Sequence, residues 1–200
     1  MPLLKKICLL YGIIFITKMF ASCCNCEDTT AELRYTDDSI LVNNLDNSGR
    51  EPVLARSEGV VKTAYGIQLQ ILSIEVARQN NWGFSAANAY SCRCGPSVTY
   101  SPRDSITGIE IISVTPFDDL PAGSDITGRF MTAGSTTFGP IANFLSTASP
   151  SLIYSVDQPR QTSFLLMQPP VTAGIYQFEI RLQLSDGRIL SRQTIPIKLT

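Results

Sequence analysis

Residues 175–185 read Ile-Tyr-Gln-Phe-Glu-Ile-Arg-Leu-Gln-Leu-Ser, and this stretch decides the fold class of the chain. From Tyr176 onward, aromatic and aliphatic residues alternate strictly with polar ones. This period of two is typical of an antiparallel strand that buries one face and exposes the other. Asp186-Gly187 follows directly and predicts a two-residue hairpin turn, so we expect the return strand to run from Arg188 to Leu199.

The hairpin turn also fixes a register for its two strands. Pro196 has no N–H to donate to a ladder, so the portion around it is expected to lie at a sheet edge or a bulge. The register places Leu184 opposite Ile189, Phe178 opposite Ile195 and Tyr176 opposite Ile197.

Two earlier stretches alternate in the same way but contain one slip of phase. Each slip predicts either a β-bulge or burial on both faces of the strand. The apolar positions before and after the slip are Ile67, Leu69, Ile71 and then Leu72, Ile74, Val76 in one stretch, and Ile109, Ile111 and then Ile112, Val114 in the other.

Weaker strand candidates occupy residues 39–43, 97–100, 126–132, 152–156 and 163–168, with turn residues between them. One helical turn is expected to start at Ser124-Asp125 or Gly139-Pro140. The chain shows no internal repeat. Seven or eight strands joined by polar turns predict an all-β fold, an antiparallel, immunoglobulin-like β-sandwich with a C-terminal hairpin.

The first residues are interpreted as a signal for export. Lys5 and Lys6 precede the apolar run 7–16, whose ten residues rise about 15 Å as a helix, half the thickness of a bilayer core. This length favours the apolar region of a secretory signal over a transmembrane helix. The sequence therefore predicts a signal peptide over residues 1–22, a tether over 23–36 and a single β-sandwich domain over 37–200.

Cys23 is the predicted site of lipidation. It follows Ala21-Ser22, and small residues before a cysteine resemble the lipobox at which bacterial lipoproteins are cleaved and acylated. The alternative is plain secretion with cleavage elsewhere in Ala21-Ser22. Glu27 and Asp28 resemble an acidic signal for export to the cell surface, with periplasmic retention as the alternative.

Four cysteines remain once Cys8 leaves with the signal and Cys23 carries lipid. An even number in an oxidising compartment favours disulfides between two Cys-x-Cys pairs. Bridges within a pair, free thiols and a metal–thiolate site are the alternatives, although the tight Cys-x-Cys spacing is unusual for zinc. The candidates are Cys24, Cys26, Cys92 and Cys94.

Composition excludes several classes of function. The 200 residues contain no histidine, which excludes Ser-His-Asp and Cys-His catalysis and His-ligated zinc. After removal of the signal peptide, 13 basic and 17 acidic residues leave a net charge of −4. No basic patch emerges for nucleic acid, so we expect no nucleic-acid partner.

Five blocks of sequence can be compared with known families: 89–94 (Ala-Tyr-Ser-Cys-Arg-Cys), 106–114, 117–126 (Phe-Asp-Asp-Leu-Pro-Ala-Gly-Ser-Asp-Ile), 173–178 and 184–188. Together they resemble a family of Bacteroidetes lipoproteins defined only as a domain of unknown function. The resemblance covers most of the mature chain and implies export and a β-rich fold, without an activity or a catalytic residue.

Two groups of residues suggest ligand sites, and each has a structural alternative. Asp118, Asp119 and Asp125 suggest calcium ligands, but aspartates also cap helices and turns, and capping is the preferred interpretation. A loop that binds a glycan or a protein partner is the hypothesis for the segment around the only tryptophan, although a buried tryptophan in the core is the commoner fate. The residues of this loop are Trp82, Phe84, Asn81 and Tyr90.

These patterns predict an exported, lipid-anchored β-sandwich that acts as a binding or accessory module for a glycan or a surface protein. Its expected location is the outer membrane, on the cell surface or on the periplasmic face. No Gly-x-Ser-x-Gly, phosphate loop or dinucleotide fingerprint is present, so we expect neither an enzyme nor a cofactor or metal. The alternative is a structural subunit of a surface assembly that joins its subunits by pilus-like strand addition.

Overall fold

The computed structural model describes residue 11 and residues 30–56, 59–79, 97–133, 138–142 and 159–200. The chain divides into two compact units, Met1–Leu33 with Arg78–Thr99, and Arg34–Ala77 with Tyr100–Thr200. The packing and the sites described below belong to the second unit. Within the described residues, no helix has the length and apolar character needed to cross a membrane.

The described residues form twelve strands and two short 3₁₀ turns. The turns span Lys62–Ala64 and Thr127–Arg129. The strands are β1 (Thr30–Asp46), β2 (Val53–Leu54), β3 (Tyr65–Gln79), β4 (Ser97–Pro102), β5 (Ile106–Ser113), β6 (Phe130–Ala133), β7 (Phe138–Pro140), β8 (Arg160–Leu166), β9 (Gly174–Tyr176), β10 (Phe178–Leu184), β11 (Ile189–Gln193) and β12 (Ile197–Leu199).

The strands are arranged in three sheets. The largest has the order β2-β1-β3-β8-β6-β7, and β4 also pairs with β1. The second has the order β11-β10-β5, and the third consists of β12 and β9. All ladders with a described register are antiparallel, so the predicted all-β, sandwich-like fold is confirmed. The number of strands exceeds the predicted seven or eight, because bulges and short edge strands divide the chain more finely.

One hydrophobic core joins the sheets, and the predicted alternation supplies it. Phe178, Ile180 and Leu182 of β10 are fully buried, as are Ile67 and Leu69 of β3. The Phe178 ring is central, with ring centroids 5.3 Å from Tyr65 and 5.8 Å from Phe130. Each such side chain contributes about 1.5–3 kcal/mol by leaving water, so this alternation largely determines the fold.

The hairpin between β10 and β11 is present, but its loop has three residues instead of two. Gln183 pairs with Ile189, and the Leu184 N–H donates to the Arg188 carbonyl at 2.9 Å. Gly187 has a φ of 88°, the left-handed value of a turn that ends in a G1 bulge. The predicted pairing of Leu184 with Ile189 is therefore wrong by one residue, and Ile189 is exposed to solvent.

A bulge further along the return strand restores the predicted register. Tyr176 pairs with Ile197 in the β9–β12 ladder, as the sequence predicts. The prediction that Ile195 lies opposite Phe178 is wrong. One extra residue precedes the Tyr176–Ile197 pair, so Thr194 bonds to Phe178 and Ile195 is 77% exposed. Pro196 lies in this bulge, which confirms the expectation for a residue that cannot donate to a ladder.

The two phase slips have different outcomes. In β5, Ile111 and Ile112 are both buried, so burial on both faces is confirmed there. The free edge of β5 is covered by the following segment, in which the Ile126 N–H donates to the Ile111 carbonyl at 2.9 Å. In β3, however, Ile74 and Val76 are exposed, so the apolar residues after the slip face solvent.

The first strand begins earlier than the predicted domain. Strand β1 starts at Thr30, and Tyr35 and Thr36 are buried, so residues 30–36 are not part of a tether. Thr36 and Asp37 are both buried through polar contacts. Of the weaker strand candidates, residues 152–156 lie outside the described residues, and the others fall within or overlap β1, β4, β6 and β8.

Candidate functional site

Most of the predicted site residues lie outside the part of the chain that the structure describes. The lipidation site, the disulfide candidates and the aromatic loop therefore remain predictions from the sequence. These residues are Cys23, Cys24, Cys26, Cys92, Cys94, Trp82, Phe84, Asn81 and Tyr90.

Two of the three aspartates considered as calcium ligands accept backbone N–H groups. Asp125 Oδ1 accepts the Thr127 N–H at 2.8 Å just before a 3₁₀ turn, which is the Asx-turn contact that aspartate favours at turns. Asp118 Oδ1 accepts the Val171 N–H at 2.7 Å. Among the described residues, no group of three acidic or thiol side chains lies close enough together to hold a metal ion.

A first buried polar cluster joins β1, β3 and β8. Asp37 forms an ion pair with Arg160 and accepts the Ser73 hydroxyl at 2.8 Å. Tyr35, two residues before Asp37 and on the same face of β1, has its ring centroid 5.9 Å from the Arg160 guanidinium carbon. The Tyr35 hydroxyl is buried, and none of the described residues is its hydrogen-bond partner. Burial raises the pKa of Tyr35 above its usual value.

A second buried cluster joins β1 to the hairpin turn. Asp104 is buried in the turn before β5, and its Oδ2 lies 3.0 Å from Arg188 Nη2. The Thr36 hydroxyl donates to the same carboxylate oxygen at 2.7 Å. Arg188 also donates to the Asp37 carbonyl at 3.1 Å and to the Asp186 carboxylate at 2.5 Å. Both clusters satisfy their carboxylates with arginine, which is the requirement for burying a charge.

Three of the described sheet edges are short or carry residues that hinder pairing with another chain. At the ends of the largest sheet, β2 has two residues and follows Pro52, and the three-residue β7 contains Pro140. At the edge of the second sheet, Arg192 of β11 pairs with Ile180, so a charge lies on the core-facing side. Short strands, proline and inward charges are the devices that prevent edge-to-edge association.

An exposed aliphatic surface surrounds the last strand, and we call it the terminal patch. Ile197 and Leu199 of β12 point into the core, so Lys198 between them points outward, opposite Ile175 of β9. On the other side, Val60 hydrogen-bonds to β12 and is buried, which leaves Val61 facing solvent. The patch consists of Val61, Val171, Ile175, Ile195 and Lys198, and its four aliphatic side chains are between 52 and 81% exposed.

Residues 38–195 match the profile of a protein family described as a domain of unknown function, DUF5034. The chain belongs to this family. A search of curated proteins finds no match to the chain.

Gly59, within the DUF5034 match, permits close packing against Lys198, which lies three residues beyond the end of that match. Gly59 has a φ of 113°, and a Cβ at this position would lie 2.7 Å from the Lys198 carbonyl oxygen. Only glycine fits both the backbone conformation and the approach. Lys198 therefore lies between the backbone of Gly59 on one side and Ile175 on the other.

On the outer face of the β5–β10–β11 sheet, Arg181 lies beside two carboxylates. Arg181 donates to both carboxylate oxygens of Glu179, at 2.9 and 3.2 Å, and pairs in register with Glu110. The hydrogen bond from Arg181 lowers the pKa of Glu179. At the hairpin turn, the hydrogen bond from Arg188 lowers the pKa of Asp186. Both carboxylates are held as anions by neighbouring cations.

Sequence reasoning missed the ion pairs and the terminal patch. The partners Asp37 and Arg160 are 123 residues apart, so no local pattern connects them. The patch did leave a signal, because Ile175 occupies an outward position in the strand that decides the fold. An isoleucine among Gln177, Glu179 and Arg181 on the polar face marked this end of the strand as an apolar surface.

Proposed function

We propose that this chain is an exported, lipid-anchored binding module that acts as a monomer at the outer membrane. The signal-like N-terminus and Cys23 after Ala21-Ser22 support the anchor. A single acyl chain holds a protein only marginally, and several chains at one cysteine give stable attachment. The family match defines the domain and leaves its activity open, so the proposal rests on the geometry of the described residues.

The observation that carries the proposal is the closure of the C-terminal strand within its own chain. β12 pairs with β9 on one side, and on the other side the Val60 N–H donates to the Lys198 carbonyl at 2.9 Å. The Thr200 N–H returns a bond to Val60 at 3.0 Å. Both edges of this strand are thus occupied, which leaves no vacant position for a strand from another subunit.

The hindered edges support binding over assembly for the same reason. Strand addition requires a long edge with unpaired N–H and C=O groups and no obstruction. Pro140 at one edge of the largest sheet and Arg192 at the edge of the second oppose such pairing. A structural subunit of a pilus-like assembly is therefore the less favoured alternative.

Sedimentation of the full mature chain, purified in detergent, tests the proposal together with acyl mass determination at Cys23. We expect one acylated species with the mass of a monomer. A ladder of oligomers that disappears when residues 197–200 are deleted would contradict the binding module and favour the assembly subunit. An unmodified Cys23 would contradict the proposed lipid anchor.

A further inference from the structure

We propose that the terminal patch is the docking site for a protein segment in which aliphatic residues flank a carboxylate. This inference rests on the proposed function and specifies its partner. The patch was defined above by Val61, Val171, Ile175, Ile195 and Lys198. Exposed aliphatic side chains grouped around one strand are typical of interaction surfaces on soluble domains.

Hydrogen bonds hold the backbone that carries the patch residues. Lys198 lies opposite Ile175, and the Lys62 ammonium donates to the Val171 carbonyl at 2.6 Å, which ties the segment before β9 to the segment that follows Val61. The Ile195 carbonyl accepts the Asn44 side-chain amide at 2.8 Å, so the bulge that exposes Ile195 is fixed to β1. The aliphatic groups are thus held on paired or hydrogen-bonded backbone, and little entropy is lost when a partner covers them.

Charge decides the chemistry of the partner. Lys198 is exposed opposite Ile175, and among the described residues no carboxylate forms an ion pair with it. A partner that covers the aliphatic groups must also desolvate this ammonium, which is costly unless an opposite charge meets it. A carboxylate between aliphatic residues satisfies both requirements.

Two other occupants fit the patch less well. A second copy related by a two-fold axis through the patch would bring the two Lys198 ammonium groups together. A glycan is disfavoured because the patch offers no exposed aromatic ring on which a sugar can stack.

The test is selection from a displayed library of random peptides on the full mature chain, with a glycan array as a parallel arm. We expect enriched peptides to contain Asp or Glu between aliphatic residues. Ile175→Ser should weaken the best peptide by about tenfold or more, whereas Ile189→Ser, which changes an equally exposed isoleucine on the hairpin, should leave binding unchanged.

Charge reversal supplies the decisive arm. Lys198→Glu should abolish binding of acidic peptides and select peptides that carry Lys in the same position, while the matched control Arg192→Glu should do neither. The proposal would be overturned if no peptide is enriched or if the enriched peptides lack an acidic residue. It would also be overturned if the control variants lose as much binding, or if the chain retains only glycans. Dimerisation abolished by Ile175→Ser would assign the patch to a second copy. If the chain is a monomer and fails these binding tests, only this inference is contradicted. If the chain polymerises, the proposed function is contradicted.

Discussion

Arg188 Nη2 lies 3.0 Å from Asp104 Oδ2, and this contact joins two turns that are 84 residues apart in the chain. The Thr36 hydroxyl bonds to the same oxygen, so β1, the turn before β5 and the hairpin turn meet at one carboxylate. The hairpin that decides the fold is therefore fixed at its turn as well as along its buried face. Arg188 is the first residue after the three-residue loop of the hairpin. The geometry of this turn and the ion pair between Arg188 and Asp104 therefore depend on each other.

The ion pair between Arg160 and Asp37 should contribute more to stability than the one at Arg188. Arg160→Met leaves the Asp37 charge buried, so we expect the free energy of unfolding to fall by about 3–5 kcal/mol. Arg188→Met should cost less, because Arg188 is more exposed and Asp104 keeps its bond from Thr36. Urea denaturation measures both. Adding Asp37→Asn to Arg160→Met should recover part of the loss, and no recovery would contradict a buried-charge origin.

Substitution of Gly59 should displace the last strand. Gly59→Ala combines a φ of 113° with a contact of 2.7 Å to the Lys198 carbonyl oxygen, so both strain and overlap oppose it. Gly123→Ala is the matched control, because its φ of 87° brings the strain while nothing lies within 4 Å of the new Cβ. Thermal melting should show the larger loss at Gly59. Equal losses in melting temperature for the two variants would contradict a tight contact between Gly59 and β12.

Stability should decline at alkaline pH because of buried tyrosines. Burial raises the pKa of Tyr65 well above its usual value in the folded chain. Above pH 10, roughly the pKa of an unfolded tyrosine, the unfolded chain loses a proton that the folded chain keeps. The free energy of unfolding must therefore fall as the pH rises past this point. Urea denaturation between neutral pH and pH 11 checks this, and Tyr65→Phe should flatten the decline. An unchanged slope would contradict the assignment.

Lipidation is tested at Cys23 itself. Cys23→Ala should remove the acyl chains and shift the chain from the membrane fraction to the soluble fraction. Fractionation of cells with and without the substitution, combined with mass spectrometry of the N-terminal peptide, measures both effects. Membrane retention of the variant, together with no acyl mass on the wild-type chain, would contradict the anchor.

The sequence predicted the fold class because burial in β10 follows a local period. Phe178, Ile180 and Leu182 alternate with polar residues, and any antiparallel sheet with one buried face needs this pattern. The register was missed because Asp186-Gly187 suits two turns. It fits a two-residue loop, and it equally fits the end of a three-residue loop whose left-handed residue is Gly187.

The candidate sites were harder to predict because they depend on distant contacts. Nothing near Asp37 in the sequence indicates Arg160, and burial of Thr36 and Asp37 contradicts the usual placement of polar residues. Ile195 was expected in the core, and one bulge residue turns it outward. The patch thus arises from an irregularity that the alternation of residues alone does not specify.

The mass of the full mature chain in solution is the most direct test of the account, since a binding module and an assembly subunit differ in this quantity. Sedimentation in detergent should give a monomer across a wide range of concentration, with β12 protected from hydrogen exchange by its bonds to β9 and Val60. A regular ladder of oligomers, in which the amides of β12 exchange freely until subunits join, would contradict it.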